Sequence, residues 1–166
     1  MRKLVTLLFI SSLLLGACSK DDDHAPQSRV VGPEMQKKVA TSVAKVAKED
    51  KKTYSAKLKS LVDRCKQPEF SLHSNPYVYQ ENEEYVAYKN FILDSSQRFY
   101  LLIDTYLRND VGGWFHWMFI DIVDTRYPGL TDSAYEEAEY TTLVEKQDAF
   151  ATICVNKLLE ELAKEQ

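Results

Sequence analysis

The chain has 166 residues, of which 45% are hydrophobic, 28% charged and 11% aromatic, with a formal net charge of −4 and a pI near 5.4. Five glycines, five prolines and this aromatic content exclude collagen-like, low-complexity and disordered classes. The acidic balance speaks against nucleic acid as a partner, because contact with phosphates needs a basic surface.

Met1-Arg2-Lys3, the mainly apolar stretch Leu4 to Leu15, and the small residues Gly16 and Ala17 supply the three parts of a signal peptide. As a helix the apolar stretch rises only ~18 Å, short of a hydrocarbon core of ~30 Å. Leu15-Gly16-Ala17-Cys18 resembles the lipobox of bacterial lipoproteins. The resemblance covers the leader alone. It implies that residues 1–17 are removed, that the Cys18 thiol carries diacylglycerol, and that Cys18 becomes an acylated N-terminus holding the chain to a membrane. Several acyl chains on one residue exceed the marginal hold of a single chain. In the same family pattern, Ser19 rather than Asp after the cysteine implies the outer membrane, facing the periplasm. Ser19-Lys20 followed by Asp21, Asp22 and Asp23 also resembles the acidic tag with which some Gram-negative bacteria place lipoproteins on the cell surface. Loss of Arg2 and Lys3 with the leader takes the net charge from −4 to −6. The remaining ~150 residues are enough to bury roughly two thirds of the unfolded surface without a metal.

Residues 18–33 hold Pro26, Gly32, Pro33 and three aspartates with no apolar period, which predicts a flexible tether. Residues 34–166 are read as the helical domain. From Glu34 to Lys66, Val39, Val43, Val46, Tyr54, Leu58, Leu61, Val62 and Cys65 recur at threes and fours, with a polar gap at Lys48 to Lys52 and a stop at Pro68. Residues 67–80 read as a loop, extended before Pro76. Glu83 to Asp110 carries a second stripe, Tyr85, Tyr88, Ile92, Phe99, Leu102, Ile103 and Tyr106, with the acid-to-base pairs Asp94 with Arg98 and Asp104 with Arg108. After Gly112-Gly113, Trp114 to Tyr127 is apolar on nearly every side and predicts a central buried helix. Ser133 with Glu136 reads as the capping box of a last helix running to Leu162. The expected fold class is all-α, an antiparallel bundle of about four helices.

With Cys18 acylated, Cys65 and Cys154 remain on the apolar stripes of the first and last helices, in a chain sent to an oxidising compartment. A Cys65–Cys154 disulfide is the preferred reading. Two buried free thiols are the alternative, and a Cys-His nucleophile pair with His73 or His116 comes third. No CxxC, HExxH or His pair at helical spacing is present, so no metal is expected. Asp121 and Asp124 share a helix face that Asp104 could approach, but a polar edge paired with Arg126 is favoured over a metal or acid–base site. Without GxSxG, a phosphate loop or a dinucleotide fingerprint, no catalytic residue and no cofactor is assigned.

Charge is unevenly placed. Residues 34–66 hold ten Lys or Arg against four acids, and residues 130–166 hold nine acids against three Lys. Mutual attraction of the first and last helices is one account. Separate basic and acidic faces that steer a charged partner are the other. Tyr127, Tyr135 and Tyr140 flank Glu136, Glu137 and Glu139, a composition suited to capturing a basic protein surface. The functional expectation is a lipid-anchored, non-enzymatic protein-binding module, in concrete form an immunity protein or inhibitor of a secreted toxin. The alternatives are a structural or assembly lipoprotein whose basic first helix lies on anionic lipid or cell wall, and a small-molecule carrier or enzyme with a pocket around Trp114 and Trp117.

Overall fold

Helices form wherever the apolar residues recur at threes and fours, and the computed structural model of the chain describes residues 29, 31–71, 77–139 and 142–165. Among these the fold is all-α: α1 (Pro33–Lys45), α2 (Lys48–Cys65), two single turns α3 (Pro68–Ser71) and α4 (Tyr77–Gln80), α5 (Glu83–Leu93), α6 (Phe99–Arg108), α7 (Trp114–Arg126), α8 (Leu130–Glu137) and α9 (Leu143–Lys164). None of the described helices is long and apolar enough to cross a membrane. Cys18, His24 and His73 lie outside the described residues, as does the segment before Pro76.

Each of three long predicted helices is divided. The first bends at Val46, whose backbone turns extended while its side chain stays buried, so α2 starts at the charged stretch. The second breaks between α5 and α6 at a 3-10 turn, Ser96–Arg98, preceded by extended Ser95. Arg98 fixes that corner: its guanidinium reaches Asp94 at 2.9 Å, Asp50 of α2 at 3.0 Å and the Phe91 carbonyl at 2.9 Å, and lies over the Phe91 ring. The third opens at extended Ala138 and resumes at Thr142, whose side chain accepts from Glu145 N–H while the Glu145 carboxylate accepts from Thr142 N–H. That reciprocal pair, not Ser133 with Glu136, is the capping box of the last helix. Ser133 sits inside α8.

The side-chain pairs give the directions. Asp50 with Arg98, Tyr54 with Tyr88, and Arg64 with Glu84 set α2 antiparallel to α5. Phe99 against Tyr127 and Tyr106 against Phe119 set α6 antiparallel to α7. α6 is the centre of the molecule. Phe99, Leu102, Ile103 and Tyr106 are at most 1% exposed, α1 packs on its outer side, and α5 and α7 flank it. The Tyr106 ring stacks on Phe119 at 3.8 Å, and a buried hydroxyl chain runs from Tyr88 to Tyr54 at 2.8 Å and on to Thr105 at 2.6 Å. α9 packs chiefly on α8.

Packing extends to the N-terminal side of α1, to residues 29 and 31. Arg29 and Val31 are each 7% exposed; Arg29 N–H donates to the Leu107 carbonyl at 3.0 Å, and its guanidinium covers the Tyr106 ring at 4.2 Å.

Candidate functional site

The acidic, tyrosine-bearing segment is built around α8. Gly129, at φ +79°, makes the turn out of α7 that a side-chain-bearing residue rarely adopts. The Asp124 carboxylate of α7 then accepts from Thr131 N–H at 3.1 Å and from the Thr131 hydroxyl, tying down the first turn of α8. Leu130, Thr131 and Ala134 face inward. The Tyr135 ring rests on Phe150 of α9, centroids 4.6 Å apart, under the Lys146 ammonium. Lys157 of α9 binds both Ser133 and Glu137, and this partner pulls the Glu137 carboxyl below its usual range. Asp132, Glu136 and Glu139 remain exposed and carry none of the ion pairs described.

Of the six residues expected to bind a partner, Tyr135, Glu136, Glu137 and Glu139 stay together on or beside α8. Tyr127 does not join them. Its ring packs on Phe99, its hydroxyl donates to Glu165 at 2.8 Å, and burial with that carboxylate pushes the phenol up to about 12. Glu165 lies fifteen residues beyond Phe150 on α9, or about 22 Å along a helix axis. Tyr140 lies outside the described residues.

A residue that the sequence placed inside is found outside. Trp117 is 49% exposed, although α7 is otherwise rich in buried side chains. It joins the α8 segment through a row of ring contacts: Trp117 to His116 at 5.5 Å, His116 to Phe150 at 5.4 Å, and Phe150 to Tyr135 at 4.6 Å. His116 Nδ1 lies 2.9 Å from the Tyr106 hydroxyl, and burial holds the imidazole down to about 4, so the ring is neutral and the phenol donates. The expected pocket around the two tryptophans is a crevice between Tyr79, Gln80, Trp114, Trp117 and Met118 with no room for a water-sized molecule.

The acids considered for metal or acid–base chemistry are dispersed. Asp121 accepts from Tyr85 and from Lys89 at 2.6 Å, Asp124 is spent on Thr131, and Asp104 pairs with Arg108 at 3.2 Å. Arg126, expected beside Asp121 and Asp124, pairs with Glu165 at 2.6 Å. No group of three metal-ligating side chains occurs among the described residues.

The expected Cys65–Cys154 bridge is not formed. Both thiols are free and buried. Their surroundings differ, with Glu84 and Arg64 bearing on Cys65 and Asp124 and Lys157 on Cys154, because α2 packs on α5 while α9 packs on α8. Burial pushes each thiol up to about 12, which leaves almost no thiolate at neutral pH and no activated nucleophile. Without reductant, native protein at pH 8 is therefore expected to react negligibly with a thiol reagent at these positions. Unfolding should expose both thiols, and a count of zero from Cys65 and Cys154 would show that they are bonded.

The charge separation survives folding. The ion pairs of residues 34–66 run to Asp63, Glu84 and Arg98, while those of residues 130–166 run to Arg126 or stay within the segment. None of the ion pairs described joins the basic segment to the acidic one.

No family model, no curated protein and no solved structure matches the chain.

Proposed function

We propose that the chain is an envelope lipoprotein, acylated at Cys18 and held in the outer membrane, whose helical body captures a protein with a basic surface; in concrete form it neutralises a secreted toxin. The supporting observation is the surface around α8. Exposed Asp132, Glu136 and Glu139 stand beside half-buried Tyr135, and a row of rings leads from there to exposed Trp117. Tryptophan and tyrosine supply large apolar area with few rotatable bonds, the profile of residues that dominate interfaces. The acids around them set approach and register.

The test is binding of the purified chain to the toxin-like product of a gene adjacent to its own. Trp117→Ala is expected to weaken binding by about thirtyfold or more, the level of a dominant interface residue. Glu136→Lys with Glu139→Lys is expected to slow association and remove its salt dependence. If both variants bind as the parent does, the partner uses another surface.

A further inference from the structure

The exposed lysines of α2 form a line. Lys48, Lys52, Lys59 and Lys66 are all exposed; at 3.6 residues per turn they fall within about 40° of one another around the axis, over a length of about 27 Å. Leu61 and Cys65, which mark the buried side of α2, fall on a different part of the helix. Among the described residues only Lys59 of the four is paired, with Asp63.

A groove of about 600 Å³ beside this line, between α2 and α6, offers an alternative use for the charge. Its walls include Leu58, Val62 and Leu101, but its cations are mostly answered by neighbours. Lys59 is held by Asp63, Arg108 by Asp104 and Asp110, and the Lys51 ammonium donates to the Ala44 carbonyl. The unanswered charge is on the ridge, at Lys48 and Lys52, while Lys66, at the edge of the groove, forms no ion pair but lies near enough to Asp63 to lower its carboxyl. The ridge charge suits an extended, sheet-like anion better than a small one seated in the groove.

We infer that the α2 lysine ridge docks on the surface of a bilayer containing anionic phospholipid. Charge complementarity supplies the attraction, since a polybasic row gains roughly fivefold in partitioning for each lysine near such a surface. Chain length supplies the location. Thirteen residue steps lead from Cys18 to Val31, the first packed apolar residue among those described, and they span at most about 45 Å, so an acyl anchor at Cys18 keeps α1 and α2 within reach of its own membrane. The location rests on the anchoring proposed above; the binding chemistry does not.

The experiment uses the chain from Ser19 onward, which lacks leader and anchor but keeps every described contact, since all of these lie within residues 29–165. Co-sedimentation is measured with phosphatidylcholine vesicles, with vesicles containing about 30 mol% phosphatidylglycerol, and with isolated peptidoglycan. Binding is expected to the anionic vesicles at low salt, and to fall as salt shortens the screening length. Replacing Lys48, Lys52, Lys59 and Lys66 by Gln should lower it at least about tenfold with the thermal melt unchanged, and replacing all four by Arg should restore it. Equal binding to both vesicle types, an unaffected Gln variant, or preference for peptidoglycan would overturn the assignment. None of these results bears on toxin capture, which is read on the α8 variants.

Discussion

Phe150→Ala is expected to lower the free energy of unfolding by about 3–5 kcal/mol, the cost of deleting a fully buried phenyl ring. Phe150 has no exposed surface, and its ring meets His116 of α7 on one side and Tyr135 of α8 on another. Truncation therefore removes apolar burial and also the contact that joins three helices, leaving a void that backbones fixed by a capping box and by the Asp124–Thr131 bonds cannot easily close. Urea denaturation of the variant and the parent at neutral pH measures it: the midpoint should fall while the slope stays constant. A loss below about 1 kcal/mol would mean that α8 and α9 are not packed through this ring. Because Tyr135 loses its support, the same variant should weaken partner capture even where it remains folded.

Acidification is expected to remove about 3 kcal/mol of stability between pH 6.5 and pH 4 through His116 alone. Its folded value is about 4 against 6.5 for the free side chain, with burial as the main cause and the Arg29 charge as the second. Above pH 6.5 the ring is neutral in both states and contributes nothing to the pH dependence. As the pH falls through 6.5 the unfolded chain gains a proton that the native ring refuses until about pH 4, so stability declines across that window and levels off below it. The carboxyls whose values folding lowers, Asp63, Glu137 and Glu165, act in the same direction, but only below their ordinary values near 4 to 4.5. Among the described residues whose values folding shifts, only His116 acts between pH 6.5 and 5. His116→Asn, which keeps an acceptor near Nδ1 for the Tyr106 hydroxyl, should flatten urea midpoints over that interval; an undiminished slope in the variant would assign the effect elsewhere.

The helical class and the core faces were legible because apolar spacing is a local signal. Tyr85, Tyr88, Ile92, Phe99, Leu102, Ile103 and Tyr106 all lie on the expected stripe and are all buried. The breaks were not, and the reason differs at each. Nothing at Val46-Ala47 resembles a helix stop; across the bend α1 packs on α6 while α2 packs on α5, which is a tertiary requirement. Asp94 and Arg98 have the spacing of a helical ion pair and do pair, yet Arg98 is also held by Asp50 and the Phe91 carbonyl, partners invisible to a local reading. At the last break the signal was present but ambiguous. Ser133 with Glu136 and Thr142 with Glu145 satisfy the same pattern, but Ser133 is helical, inside α8, and only Thr142 is itself extended at a helix start.

The candidate site was half legible. Composition singled out the acids and tyrosines near α8, but it could not separate Tyr127, committed to Phe99 and Glu165, from Tyr135. Trp117 was singled out only as a pocket residue, and its exposure was missed for a physical reason. A helix apolar on every side gives no sign of which side its neighbours leave uncovered, and that depends on where α5 and α8 lie around α7.

Arg29 carries a mechanical consequence. Among the described residues, the first point at which a pull from the N-terminal side reaches the body is this residue, through its bond to the Leu107 carbonyl and its guanidinium over Tyr106. The load is delivered to α6, the most deeply buried helix, before it can peel α1 from its edge. On the anchoring proposed at Cys18, a tug from the membrane is thus met by the most deeply buried helix of the fold.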